Sequence, residues 1–80
     1  MEKRVGIAII QIENRDNVQS LNEIISNHSQ IIIGRQGLPR SNGKHLISLV
    51  LEGTTDQISS LTGQLGRLSA IQIKSVLLKT

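Results

Sequence analysis

Apolar residues recur along this chain at two alternating periods, and the change from one to the other divides it into six elements. Residues 3–12 are rich in Ile and Val, carry no helix-capping residue and run into the polar cluster Glu13-Asn14-Arg15-Asp16-Asn17, which predicts a strand. Val18, Leu21, Ile24 and Ile25 then follow at helical spacing behind an Asp16 and Gln19 pair of the capping-box type, predicting a helix that ends near Ser26 or His28. Ile31-Ile32-Ile33 opens a second strand, which Gly37, Pro39 and the hairpin-favouring pair Asn42-Gly43 bring to an end. Residues 44–52 form a third strand, stopped by Gly53. Thr54 and Gln57 make a second capping-box pair ahead of the stripe Ile58, Leu61, Leu65 and Leu68, and Gly66 ends that helix before a fourth strand over residues 71–78.

The order contains a repeat. An offset of 40 places Ile7 on Ile47, Ile9 on Leu49, Val18 on Ile58, Leu21 on Leu61, Ile25 on Leu65, Ile31 on Ile71 and Ile33 on Ile73. Two β-α-β halves joined in this way, with right-handed crossovers, predict an α+β ferredoxin-like (ACT-like) fold: βαββαβ, antiparallel sheet order 4-1-3-2, both helices on one face.

Alternation within the strands separates the two faces of that sheet. Val5, Ile7, Ile9, Ile31, Ile33, Ile47, Leu49, Leu51, Ile71 and Ile73 share one parity and are expected beneath the helices. Ile10, Ile12, Leu46 and Val50 are then expected at the centre of the helix-free face, with Gln36, Gln72 and Lys74 on its edges. An apolar centre with a polar rim has the make-up of a subunit interface, so a homo-oligomer, dimer or tetramer, is expected.

Composition narrows the function classes. Eighty residues, 38% hydrophobic and 19% charged, make one domain over 1–80. A chain this short buries only about 60% of its unfolded surface, so a partner subunit adds needed stability. The absence of cysteine removes disulfides and thiolate metal sites and favours the cytoplasm, and apolar runs of four residues such as Ile7-Ala8-Ile9-Ile10 predict no membrane insertion. A net charge of +3 and a pI near 10.0 are compatible with nucleic acid. The lack of any Phe, Tyr or Trp weighs against base stacking and leaves a basic nucleic-acid-associated protein as the alternative reading.

Candidate chemistry is sparse. His28 and His45 are expected at opposite ends of the sheet, so neither a metal nor another cofactor is expected. The serines have no base at catalytic spacing, and Gly53-Thr54-Thr55-Asp56 lacks the second glycine and the lysine of a phosphate loop, so no catalytic residue is assigned. Gly34-Arg35-Gln36-Gly37-Leu38-Pro39 is more informative. It reads either as a kinked edge strand entering a hairpin or as exposed backbone for a small anionic effector with Arg35 as its partner. Parity aims Arg35 toward the helices, so the second reading requires a bulge near Gly34. Gly63 and Gly66 are grouped with Gly34, Arg35, Gly37 and Pro39 as ligand-site candidates, because they permit close approach of a helix. Arg35, Arg40 and Lys44 place three positive charges around one hairpin, either a solvated face or a dock for acidic groups.

The runs Ile33-Gly34-Arg35-Gln36-Gly37-Leu38-Pro39, Glu52-Gly53-Thr54-Thr55-Asp56 and Leu61-Thr62-Gly63-Gln64-Leu65-Gly66 resemble the iron-only hydrogenase system regulators over nearly the whole chain. The resemblance implies a stand-alone ACT-like module, related in shape to the C-terminal domain of the nickel-responsive repressor, with a regulatory role and no enzymatic one. It also implies a small effector or a protein partner. ACT modules take effectors at subunit interfaces near the first strand-helix turn, here residues 13–17, which lack the glycine often found there. The nickel site needs a cysteine and converging histidines, which this chain does not supply.

Overall fold

The computed structural model describes residues 2–79, so Met1 and Thr80, the ends of the expected 1–80 domain, lie outside the described residues. Its elements are β1 (Arg4–Ile12), α1 (Val18–Asn27), a 3-10 turn (Ser29–Ile31), β2 (Ile32–Pro39), β3 (His45–Gly53), α2 (Thr55–Gly66) and β4 (Ile71–Leu77). The sheet order is β2-β3-β1-β4 with every pairing antiparallel, the ferredoxin-like arrangement the repeat predicts. Leu21 and Ile25 of α1 and Ile58, Leu61 and Leu65 of α2 share one buried cluster with Ala8, Ile10, Leu49 and Leu51 of the central strands, which places both helices over one face.

α2 starts as its sequence dictates. Thr54 Oγ1 accepts from the Gln57 amide at 3.2 Å and Gln57 Oε1 accepts from the Thr54 amide at 2.9 Å. α1 does not use the expected pair. Its N-cap is Asn17, which makes no capping hydrogen bond, because its side chain instead donates to the Ser69 carbonyl at 2.6 Å; the Asp16 amide is turned toward Asn14 Oδ1. In the β2–β3 hairpin only Gly43 takes a positive φ, of 82°. The connection is therefore a three-residue loop with glycine in its left-handed position rather than a two-residue turn.

The first strand reverses the expected faces. Ile10 (0% exposed) and Ile12 (8%) lie beneath the helices, while Ile7 and Ile9 are each 48% exposed on the open face. Register explains this: Ile10 pairs with Ile47 and Ala8 with Leu49, so the inward residues are even-numbered in β1 and odd-numbered in β3, and the even offset of 40 that the helices keep cannot relate the two strands. A slip of one residue exchanges the faces of a whole strand. Gly6 and Ala8 fall on the inner side, and at Gly6 an added Cβ would lie 2.5 Å from Leu77 Cδ2, so the small residues sit where space is least.

Candidate functional site

Topology gathers three connections at one end of the sheet: the β1–α1 turn at 13–17, the β2–β3 hairpin and the α2–β4 turn. They are tied together. The Glu13 amide donates to the Ala70 carbonyl at 2.8 Å, and Asn17 holds Ser69. Ala70 itself adopts φ 61°, a left-handed conformation without the freedom of glycine.

Glu13 anchors the polar border of this end. Lys44 Nζ lies 2.6 Å from its Oε2, and Gln11 and Gln72 donate to its Oε1 at 2.9 and 2.6 Å. Lys44 first, then Gln11 and Gln72, hold the Glu13 carboxyl below the usual carboxylate range. Arg40 donates to Gln11 Oε1. Two of the three hairpin cations are thus occupied within the fold.

Between α1 and the hairpin end of β2 and β3 lies a cleft of about 650 Å³. Ile12, Val18, Leu21 and Ile47 give it an aliphatic lining, Gly37 and Pro39 come from β2, Arg15 and Arg35 supply its cationic groups and His45 adds an imidazole. Arg35 pairs with Leu49 on the inner face, the helix side its parity predicts; β2 does bulge between Ile32 and Gly34, but the bulge does not turn Arg35 away from the helices as the ligand reading required. The bulge leaves Ile33, expected inside, 59% exposed. Arg35 Nη2 donates to Asn22 Oδ1 at 3.4 Å.

Of the ligand-site candidates, the structure brings Arg35, Gly37 and Pro39 together and separates the rest. Gly34 lies on the open-face side, where a Cβ would rest 3.5 Å from that of Val50. Gly63 is exposed with open space beside it, and Gly66 closes α2 near Ile73; neither lines the cleft. Sequence reasoning missed Arg15 and His45 as members of this cleft. The signal lay in the topology, which brings the first turn and the start of β3 to the same end.

Of the interface candidates, Leu46 and Val50 are on the open face, with Val50 37% exposed. Ile7 and Ile9 take the places expected for Ile10 and Ile12. Val76, Ile7 and Val50 form one row across β4, β1 and β3, and Lys74, Ile9 and Ser48 the next.

The sequence also gave no hint of a contact between the helices. His28 Nδ1 lies 2.7 Å from the Ile24 carbonyl, which makes that nitrogen the donor and leaves Nε2 to accept from Ser60 Oγ at 3.2 Å. Gln64 donates to the same hydroxyl, so the group ties α1 to α2. Among the described residues no group of three His, Cys, Asp or Glu could hold a metal ion, and no helix is long and apolar enough to cross a membrane.

The profile of the family described as "TM1266-like: Iron-only hydrogenase system regulator, putative" matches residues 4–75. The chain belongs to this family. TM1266 from Thermotoga maritima is 38% identical over 98% of this chain and 100% of that one, with a TM-score of 0.91. An unknown protein from Galdieria sulphuraria is 13% identical over 99% of this chain and 47% of that one, with a TM-score of 0.65. CPII, a nitrogen regulatory PII-like protein from Thiomonas intermedia K12 bound to ADP, AMP and bicarbonate, is 9% identical over 99% of this chain and 100% of that one, with a TM-score of 0.51. At 13% and 9% identity the likeness is one of fold alone. No curated protein matches the chain.

Proposed function

We propose that this protein is a cytoplasmic, non-enzymatic regulatory module of an iron-only hydrogenase system, which works as a homo-oligomer and responds to a small anionic effector or docks a protein partner. The observation that carries the reading is the open face of the sheet. Ile7, Ile9, Val50 and Val76 are exposed side by side on three neighbouring strands, and Lys74, Gln72 and Gln36 stand around them. An aliphatic strip bordered by polar groups suits the core and rim of a subunit contact, and a domain of this size gains stability by covering it. Family membership supports the regulatory part of the reading.

Light scattering on the purified protein tests it. The wild type should have the mass of a dimer or tetramer, and Ile9→Asp and Val50→Asp, each placing a charge in the strip, should shift it toward monomer. A monomeric wild type, or unchanged mass in both variants, overturns association through this face. Tight binding to DNA that collapses steeply with added salt would favour the nucleic-acid alternative instead.

A further inference from the structure

The cleft beside α1 is cationic without being neutralised. The acids of the chain are Glu2, Glu13, Asp16, Glu23, Glu52 and Asp56, and none of them lines it, whereas Arg15 and Arg35 do. The other cations of the hairpin are engaged, Lys44 by Glu13 and Arg40 by Gln11. Arg35 has a neutral amide oxygen at 3.4 Å, at the long limit of a hydrogen bond, in place of a carboxylate. Next to these charges the surface is aliphatic, and the chain has no Phe, Tyr or Trp to offer. A volume of about 650 Å³ falls within the ~300–1,000 Å³ of small-molecule pockets.

We propose that this cleft binds a small aliphatic monocarboxylate that carries no amino group, its carboxylate on Arg35 and Arg15 and its hydrocarbon on Ile12, Leu21 and Ile47. The assignment deepens the effector part of the regulatory reading and rests on it. A guanidinium presents two parallel N–H donors that match the two oxygens of a carboxylate. Burial of the ligand's carbon chain against the aliphatic lining adds a hydrophobic contribution that a bare anion lacks. The same lining selects against amino acids. An α-ammonium group would stand beside two guanidinium groups with no carboxylate to receive it, so repulsion and lost hydration both oppose its entry. A flat nucleobase finds no Phe, Tyr or Trp to stack on.

Isocaproate and leucine share one carbon skeleton and differ by the amino group, so together they isolate the claim. In amide-resolved NMR titrations isocaproate should shift Asn22, Gly37 and Leu38 saturably, with leucine weaker by about tenfold or more. Arg35→Gln should weaken isocaproate by about tenfold or more, the effect of losing one charge-assisted hydrogen bond. Gly37→Val is the second variant. A Cβ at Gly37 meets nothing within 4 Å, so the strand has room for the new side chain, which takes space from the sheet side of the cleft and should weaken binding while the circular dichroism stays that of the wild type. Equal binding of leucine, equal binding of inorganic phosphate, no saturable shift with isocaproate, or full affinity in Arg35→Gln would each overturn the proposal. The two readings fail separately: an oligomer indifferent to isocaproate loses this site but keeps its interface and points to a protein partner, whereas a monomer that binds isocaproate keeps the site and loses the interface.

Discussion

Ile9 and Ile10 are neighbours in β1 with opposite surroundings, 48% and 0% exposed, and truncating each to Ala measures which face of the strand is inside. Both changes remove the same three carbons and the same β-branch, so the effect on strand propensity cancels in the comparison. At position 10 the lost transfer free energy is about 2.4 kcal/mol, at ~0.8 kcal/mol per carbon. A cavity of about 80 Å³, if it stays open, adds up to ~2 kcal/mol at ~24 cal/mol per Å³. At position 9 half of the side chain is already in water and no cavity forms, so the loss is about 1.2 kcal/mol. Ile10→Ala should therefore be the more destabilising by ~1–3 kcal/mol, within a total stability of ~4–12 kcal/mol for a chain this long. Urea denaturation followed by circular dichroism, at a concentration where light scattering reports monomer, reads the difference directly. Ile10→Val, expected to cost about 0.5–1.5 kcal/mol, serves if the alanine variant is too unstable. As protein concentration rises, association through the open face should add to the cost of Ile9→Ala and leave that of Ile10→Ala unchanged, so the gap between them narrows. An Ile9→Ala loss equal to or larger than that of Ile10→Ala in dilute protein would refute the face assignment.

Three further outcomes are expected. Gly53→Ala would bring a Cβ to 2.8 Å from Ile31 Cγ2 and 2.9 Å from the capping oxygen of Gln57, and should destabilise by ~1–3 kcal/mol in the same denaturation assay. Ala70→Gly relieves a left-handed φ of 61° and should raise the melting temperature by a few degrees, corresponding to ~0.5–1 kcal/mol; a lower melting temperature would show that the turn is held by something other than backbone preference. Glu13 has its carboxyl pKa lowered in the fold, chiefly by Lys44, so its contribution to stability is present above the ordinary carboxylate range and is lost as pH falls through the lowered value. Glu13→Gln should accordingly flatten the acid limb of the stability curve, and an unchanged limb would place the acid sensitivity elsewhere.

Helix periodicity and turn chemistry carried most of this fold into the sequence. The Thr54 and Gln57 pair, the α2 stripe and the left-handed glycine of Asn42-Gly43 are local devices whose outcome depends on a few adjacent residues. The face of β1 was harder to read, since Val5, Ile7 and Ile9 are as apolar as Ala8, Ile10 and Ile12. Register against β3 decides between them, and register is a long-range property. A clue was present in the run Gln11 and Glu13, where the odd positions turn polar while the even ones stay aliphatic through Ile12. Arg35 and Gly37 were legible as site candidates because glycines interrupt an apolar strand there. Arg15 and His45 were not, because only the folded chain brings a turn and the start of another strand to the same cleft.

The 13–17 turn belongs to two surfaces at once. Arg15 faces the cleft, while Glu13, two residues earlier, fastens Gln11 and Gln72 on the border of the open sheet face, and Asn17 and the Glu13 amide lock the same segment to Ser69 and Ala70. So short a segment, pinned at both ends, has little freedom to move one side without the other. A ligand held on Arg15 and a neighbour pressing on the Gln11 and Gln72 border therefore meet the same pinned turn, and any free energy by which one of them alters the affinity of the other is reciprocal.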